Sequence, residues 1–170
     1  MSGEPQRSQI EKLGATHDCT QFDCGNEALN RFLQRYALAN QAGGSATTYV
    51  TCRGESVVGY YSLAAGGVIH QQAPARVAKG QPKHDIPVML LARLAVDRRE
   101  QGKGIGKALL KDSLLRTAKV ADMAGIRALL VHAKDESARR WYGQFDFEPS
   151  PTDPMHLFLL IKDIRKALSR

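Results

Sequence analysis

The stretch Arg-Arg-Glu-Gln-Gly-Lys-Gly-Ile-Gly-Lys-Ala-Leu-Leu, residues 98–110, sets three alternate glycines among basic residues just ahead of an apolar-striped segment. Glycine lets the chain turn sharply and approach a ligand closely, and a helix opening after such a loop offers unpaired N–H groups at the positive end of its dipole. That combination holds phosphates. Which phosphate is decided by spacing. A dinucleotide fingerprint needs Gly-x-Gly-x-x-Gly, and counting from Gly102 and Gly104 puts Lys107 where the third glycine belongs. A P-loop needs a hydroxyl after its Gly-Lys, but Ala108 follows Gly106 and Lys107, and no glycine stands five residues before Gly106. Neither nucleotide fold is supported.

Other reactive side chains are less organised. Cys19, Cys24 and Cys52 are an odd number without C-x-x-C spacing, so neither a disulfide framework nor a zinc site is indicated, even with His17 nearby. Glu100, Glu136, Glu148, His132 and His156 are placed by no motif. A salt bridge, a cap or a core hydrogen bond is the expected role of each.

The elements that must position the loop can be read from periodicity. Leu29, Phe32, Leu33, Tyr36 and Leu38 or Ala39 stand near helical spacing, giving one helix or two short ones that start at Asn26 or Cys24. The β-branched and aromatic runs 45–52 and 56–65, split by Arg53-Gly54-Glu55, read as a hairpin. Residues 71–86 hold proline, glycine and Arg76, Lys79, Lys83 and His84 with no sustained period, and read as a basic loop. Ile86–Val96 is almost continuously apolar and too short for a long amphipathic helix, as a strand buried on both faces should be. After the glycine loop, Leu110, Leu114, Ala118 and Ala121 form a helical stripe of about five turns that Gly125 should stop. A strand over 126–133, a short helix capped by Asp135 or Ser137, and a last strand over 155–161 complete an α/β arrangement on a mixed sheet.

The chain has 170 residues, 43% of them hydrophobic, which suffices for one domain with its own core. No apolar run reaches membrane-spanning length, and the polar start, Met1 to Gly14, lacks a signal peptide's apolar centre, so a cytoplasmic protein is expected. Twenty-four Lys and Arg against 17 Asp and Glu give a net charge of +7, which favours polyanionic partners such as nucleic acid.

Gln101-x-x-Gly104-x-Gly106, after a strand and opening a helix, resembles motif A of the GNAT N-acetyltransferases. Asp135, Ala138 and Tyr142 resemble that family's downstream Asn-Ala-Tyr pattern, with Asp replacing the common Asn and Asp146 standing where glycine usually precedes Phe147. Aspartate tolerates the left-handed conformation that glycine would supply there. The likeness narrows to the acetyltransferase toxins of bacterial toxin–antitoxin pairs, through Phe-Asp-Cys-Gly-Asn-Glu-Ala-Leu-Asn-Arg-Phe-Leu at 22–33, Gly-Tyr-Tyr-Ser-Leu-Ala-Ala-Gly at 59–66 and the segment 147–159. It implies one GNAT domain over residues 1–170, with a central mixed, mostly antiparallel sheet flanked by helices. It implies acetyl-CoA as acetyl donor, no metal, the α-amine of aminoacyl-tRNA as acceptor, blocked translation, a small antitoxin partner and a homodimer.

The same resemblance assigns the cofactor to the backbone of Leu94, Ala95 and Val96, to the loop residues Gln101, Gly102, Lys103, Gly104, Ile105, Gly106 and Lys107, and to Asp135, Ala138 and Tyr142. It makes Tyr142 the acid for the departing thiolate, a proton a phenol with a pKa of about 10 can give; core packing beside Trp141 is its other reading. No strong base is needed, because an α-amine has a pKa of roughly 8 and esterification lowers it. Arg31, Arg35, Arg76, Lys79, Lys83, Arg93, Arg98 and Arg99 are candidates for tRNA phosphates as a collective basic face. Arg93, inside an apolar strand, needs a partner or a cleft. Two alternatives stay open: a GNAT acting on small amines or protein N-termini, and a non-catalytic nucleic-acid-binding regulator.

Overall fold

A computed structural model describes residues 9–170; the first eight residues of the polar N-terminal stretch lie outside it. The chain divides into two compact units, one of residues through Leu63 with Arg93–Asp112, the other of Ala64–Ala92 with Ser113–Arg170.

In the first unit, β1 (Glu11–Lys12), β2 (Thr47–Arg53) and β3 (Ser56–Val68), which belongs to it through Leu63, pair antiparallel, and the expected hairpin turns at Gly54 with φ +60°. Helix α1 (Glu27–Arg31) is capped by Asn26, whose side chain accepts the Leu29 N–H; a π-helical turn (Phe32–Tyr36) and α2 (Ala37–Ala42) follow. Phe32, Leu33 and Ala37 face a core with Phe22, Val50 and Tyr60. Here the helical stripe read from sequence fails at one position. The Ala37 N–H bonds the Phe32 carbonyl across an extra residue, so Ala37 takes the buried place and Tyr36 is turned out, 51% exposed.

In the second unit, β4 (Ile86–Val96), which belongs to it through Ala92, runs parallel to β5 (Ala128–His132), which pairs antiparallel with β7 (His156–Leu160), itself antiparallel to β6 (Glu148–Pro149). Residues 128–131 and 157–160 are all buried, as strands covered on both faces require. The strands read β1-β2-β3-β4-β5-β7-β6 in a seven-stranded mixed sheet. The expected loop over 71–86 instead holds a 3₁₀ turn and the one-turn helix α3 (Ala75–Ala78). Four residues are too few to show a period, and the helix is finished from a distance: the Arg127 guanidinium donates to the carbonyls of Val77 at 2.9 Å and Arg76 at 2.9 Å. A C-terminal helix, α6 (Ile161–Leu168), also escaped the sequence reading, although Ile161, Ile164 and Leu168 share one face and Ile164 is fully buried.

Helix α4 (Ile105–Met123) opens directly after the glycine loop and stops just before Gly125. Its first turns lie on β3 at Gly59, where a Cβ would meet Leu109 Cδ1 at 3.0 Å and Ile105 Cγ2 at 3.1 Å. An isolated glycine in a strand marks such a close approach. Gly59 therefore fixes how near the head of α4 can come to the strand.

Candidate functional site

The glycine loop is built on two buried carboxylates that no motif announced. Asp97, 1% exposed, ends β4: its N–H donates to the Val58 carbonyl at 2.8 Å, and its carboxylate accepts Arg99 Nε and Nη2, both at 3.0 Å, and the N–H groups of Arg99 and Asp23. The Arg99 bonds, helped by those amides against the cost of burial, hold the Asp97 carboxyl down to about 2. Three residues on, buried Glu100 takes the Arg53 guanidinium at 2.5 and 2.7 Å and Lys103 Nζ at 3.2 Å. The Arg53 fork leads in keeping its carboxyl below the usual range.

On this base the loop turns at Gly102, φ +79°, and Gly104, φ +84°, with open space where a Cβ would sit at either. The glycines are thus required by backbone conformation and not by crowding. The Gln101 side chain points back into the protein, donating Nε2 to the Val96 carbonyl at 2.9 Å, so it braces the loop. Lys107 is exposed near the head of α4, where the leading N–H groups have no intrahelical acceptor. Such a loop, with a helix dipole behind it and Lys107 beside it, is suited to a diphosphate. Ahead of it, β4 continues five residues past Leu91, the last residue registered with β5, and those residues include Leu94, Ala95 and Val96.

In the second unit, α5 (Glu136–Gly143) is capped by Asp135, whose Oδ1 accepts the Ala138 N–H at 2.8 Å; of the two caps expected, Ser137 does not serve. Tyr142, 7% exposed, packs edge-on to Trp141 at 4.9 Å and Phe147 at 5.5 Å. Burial pushes its phenol up, so it stays protonated across physiological pH. Among the described residues its hydroxyl has no hydrogen-bonding partner. Asp146 has φ +69°, alone among the non-glycine described residues in being positive, which is the turn its replacement of glycine called for.

A model of the acetyltransferase (GNAT) domain matches residues 44–149. This chain is a GNAT acetyltransferase. A tRNA-acetylating toxin of Mycobacterium tuberculosis is 49% identical over 158 residues, 93% of this chain and 95% of that protein. The solved structure of AtaT complexed with acetyl-methionyl-tRNAfMet matches with a TM-score of 0.87 at 31% identity, over 94% of this GNAT chain and 98% of AtaT. A tyrosine-to-phenylalanine mutant of AtaT, bound to the C-terminus of the antitoxin AtaR and to acetyl-CoA, matches at 0.82 and 30% identity, covering 95% and 98%.

The acids and histidines that no motif placed are engaged structurally in this GNAT chain. Glu100 holds Arg53, Glu136 pairs with Arg139, and Glu148 pairs with Arg76 at 3.1 Å. His132 and His156 stack at 4.0 Å, with His156 Nε2 3.4 Å from Asp153. Burial raises the thiols of Cys19 and Cys52 to about 11, which leaves them un-ionised and poor nucleophiles. Of the basic candidates, Arg76 forks onto Asp163 at 2.7 and 3.0 Å, Arg99 is taken by Asp97, and Arg93 lies 3.5 Å above the Phe32 ring, the partner its apolar strand demanded. Arg31, Arg35, Lys79, Lys83 and Arg98 are exposed. No helix among the described residues is long and apolar enough to cross a membrane.

Proposed function

We propose that this enzyme transfers the acetyl group of acetyl-CoA to the α-amino group of an aminoacyl-tRNA and thereby acts as a toxin that blocks translation. The observation that carries the reading is the braced glycine loop at the head of α4, in a chain 49% identical along nearly its whole length to a tRNA-acetylating toxin. The amides of residues 102–107, with Lys103 and Lys107, receive the coenzyme's pyrophosphate, and the backbone of Leu94, Ala95 and Val96 pairs with its pantetheine and acetyl portion as an added strand would.

The neutral α-amine attacks the thioester carbonyl. A nitrogen–carbon bond forms, the carbon–sulfur bond breaks, the departing thiolate takes the Tyr142 proton, and the amine's proton passes to solvent. Burial keeps the phenol protonated, so its proton is in place when the thiolate forms. Asp135, by holding the Ala138 N–H, fixes the start of the helix that carries Tyr142 two turns on. Arg31, Arg35, Lys79, Lys83 and Arg98 meet tRNA phosphates in a salt-dependent way, whereas Arg76, Arg93 and Arg99 are committed within the protein.

The family likeness further supports residues 1–170 working as one GNAT domain, as a homodimer in the cytoplasm, neutralised by a small antitoxin. The reading is tested by cell-free translation: the purified protein should arrest synthesis only when acetyl-CoA is supplied. Arrest that is indifferent to acetyl-CoA, or no arrest at all, would overturn it.

A further inference from the structure

The π-helical turn does something a regular helix could not. In unbroken α-helix, Tyr36 would follow Phe32 by four and Leu33 by three and would share their buried face. The extra residue closed by the Ala37-to-Phe32 bond gives that place to Ala37 and leaves the phenol ring half exposed. Exposing a large aromatic costs burial, and π-turns of this kind concentrate at functional sites.

The turn is also held still. Gln34 Nε2 donates to the carbonyls of Cys19 at 3.2 Å and Phe22 at 3.1 Å, and the Phe32 ring is clamped between Arg93 at 3.5 Å and Tyr60 at 6.3 Å. Arg35 is adjacent to Tyr36, exposed, and without an ion-pair partner among the described residues; Arg31, one π-turn earlier, has only Glu27 at 4.0 Å. An exposed ring on a braced turn, with an unpaired arginine next to it in the chain and a loosely paired one a π-turn earlier, matches an unpaired nucleotide, whose base stacks on the ring while its phosphates meet the guanidinium groups. It does not match an apolar partner, which would leave both cations uncompensated.

We infer that Tyr36 is a stacking platform for an unpaired base in the single-stranded aminoacyl end of the tRNA, with Arg35 and Arg31 holding the adjoining phosphates. This rests on tRNA being the acceptor, as proposed above. Tyr36 then sets the KM for tRNA without taking part in acetyl transfer.

The test compares wild type, Tyr36→Ala, Tyr36→Phe and Arg35→Ala in steady-state acetylation of charged tRNA. Tyr36→Ala should raise the KM for tRNA roughly tenfold, the loss of about one base stack, with kcat and the KM for acetyl-CoA unchanged. Tyr36→Phe, which keeps the π-face, should stay within about twofold of wild type. Arg35→Ala should reduce the slope of log affinity against log salt by about one phosphate contact. An unchanged tRNA KM for Tyr36→Ala overturns the inference, and does so equally if that variant loses an antitoxin instead. Should wild type fail to acetylate tRNA, the proposed function fails separately. Binding of a single-stranded oligoribonucleotide to wild type and Tyr36→Ala then decides the platform directly, equal affinity overturning it.

Discussion

Replacing Tyr142 by phenylalanine removes one oxygen from a site where its loss can be read cleanly. The ring contacts to Trp141 and Phe147 survive the change, and the hydroxyl makes no hydrogen bond among the described residues, so no partner is left unsatisfied. Stability should therefore move by less than about 1 kcal/mol, and toward greater stability if at all. Catalysis should not be spared. A positioned general acid contributes roughly 10²–10⁴ in rate, or about 3–5 kcal/mol of barrier, so kcat should fall by that factor while acetyl-CoA binding is retained. The assay pairs kcat and KM with a melting curve and direct coenzyme binding on the same preparation. The wild-type pH profile adds a check: burial raises the phenol, so no alkaline loss from its ionisation should appear up to about pH 10, where an exposed phenol would already titrate. A Tyr142→Phe enzyme with kcat within threefold of wild type would refute the acid role.

Substitutions at three further positions probe the scaffold. Gly59→Ala drives a methyl into Leu109 and Ile105 at 3.0 and 3.1 Å, so it should cost about 1–3 kcal/mol in a denaturant titration and raise the KM for acetyl-CoA more than it lowers kcat. Asp97, held at about 2 against an ordinary 3.8, adds stability that is complete above pH about 4 and lost as pH falls toward 2. Asp97→Asn should thus be less stable than wild type by on the order of 1–3 kcal/mol at pH 7, with the difference shrinking in acid. Unfolding at a series of pH values checks this, and a pH-independent gap would count against it. Asp135→Ala should lose about 1 kcal/mol with the cap, whereas Asp135→Asn should keep both stability and acetylation, as thermal melts and initial rates will show.

What could be read from the sequence was whatever local chemistry encodes. The strand, glycine loop and helix around Gly102 and Gly104 came from adjacent residues, whereas the left-handed turn at Asp146 came from the family resemblance. Features set by distant partners did not. Asp97 carries no local signal, and the salt bridge expected of Glu100 has no named partner, until Asp23 and Arg53, far away in the chain, close on them. Arg76 and Arg99 counted as free cations until their carboxylates were seen, and α3 is finished by Arg127, about fifty residues downstream. Tyr36 was misplaced because periodicity assumes an unbroken helix, and nothing in the residues 27–41 marks the extra one. Gly59 is a signal the sequence reading passed over: a glycine inside a β-branched and aromatic run marks close packing, which the structure places against Leu109 and Ile105.

The most direct measurement follows the acetyl group itself. Purified protein is incubated with labelled acetyl-CoA and a pool of charged tRNA, the RNA is digested with nuclease, and the aminoacyl-adenosine fragments are identified by mass. The account predicts label on the α-nitrogen of the aminoacyl group and none on uncharged tRNA. Bound coenzyme with no labelled aminoacyl fragment would contradict it and turn the search to a small amine or a protein N-terminus.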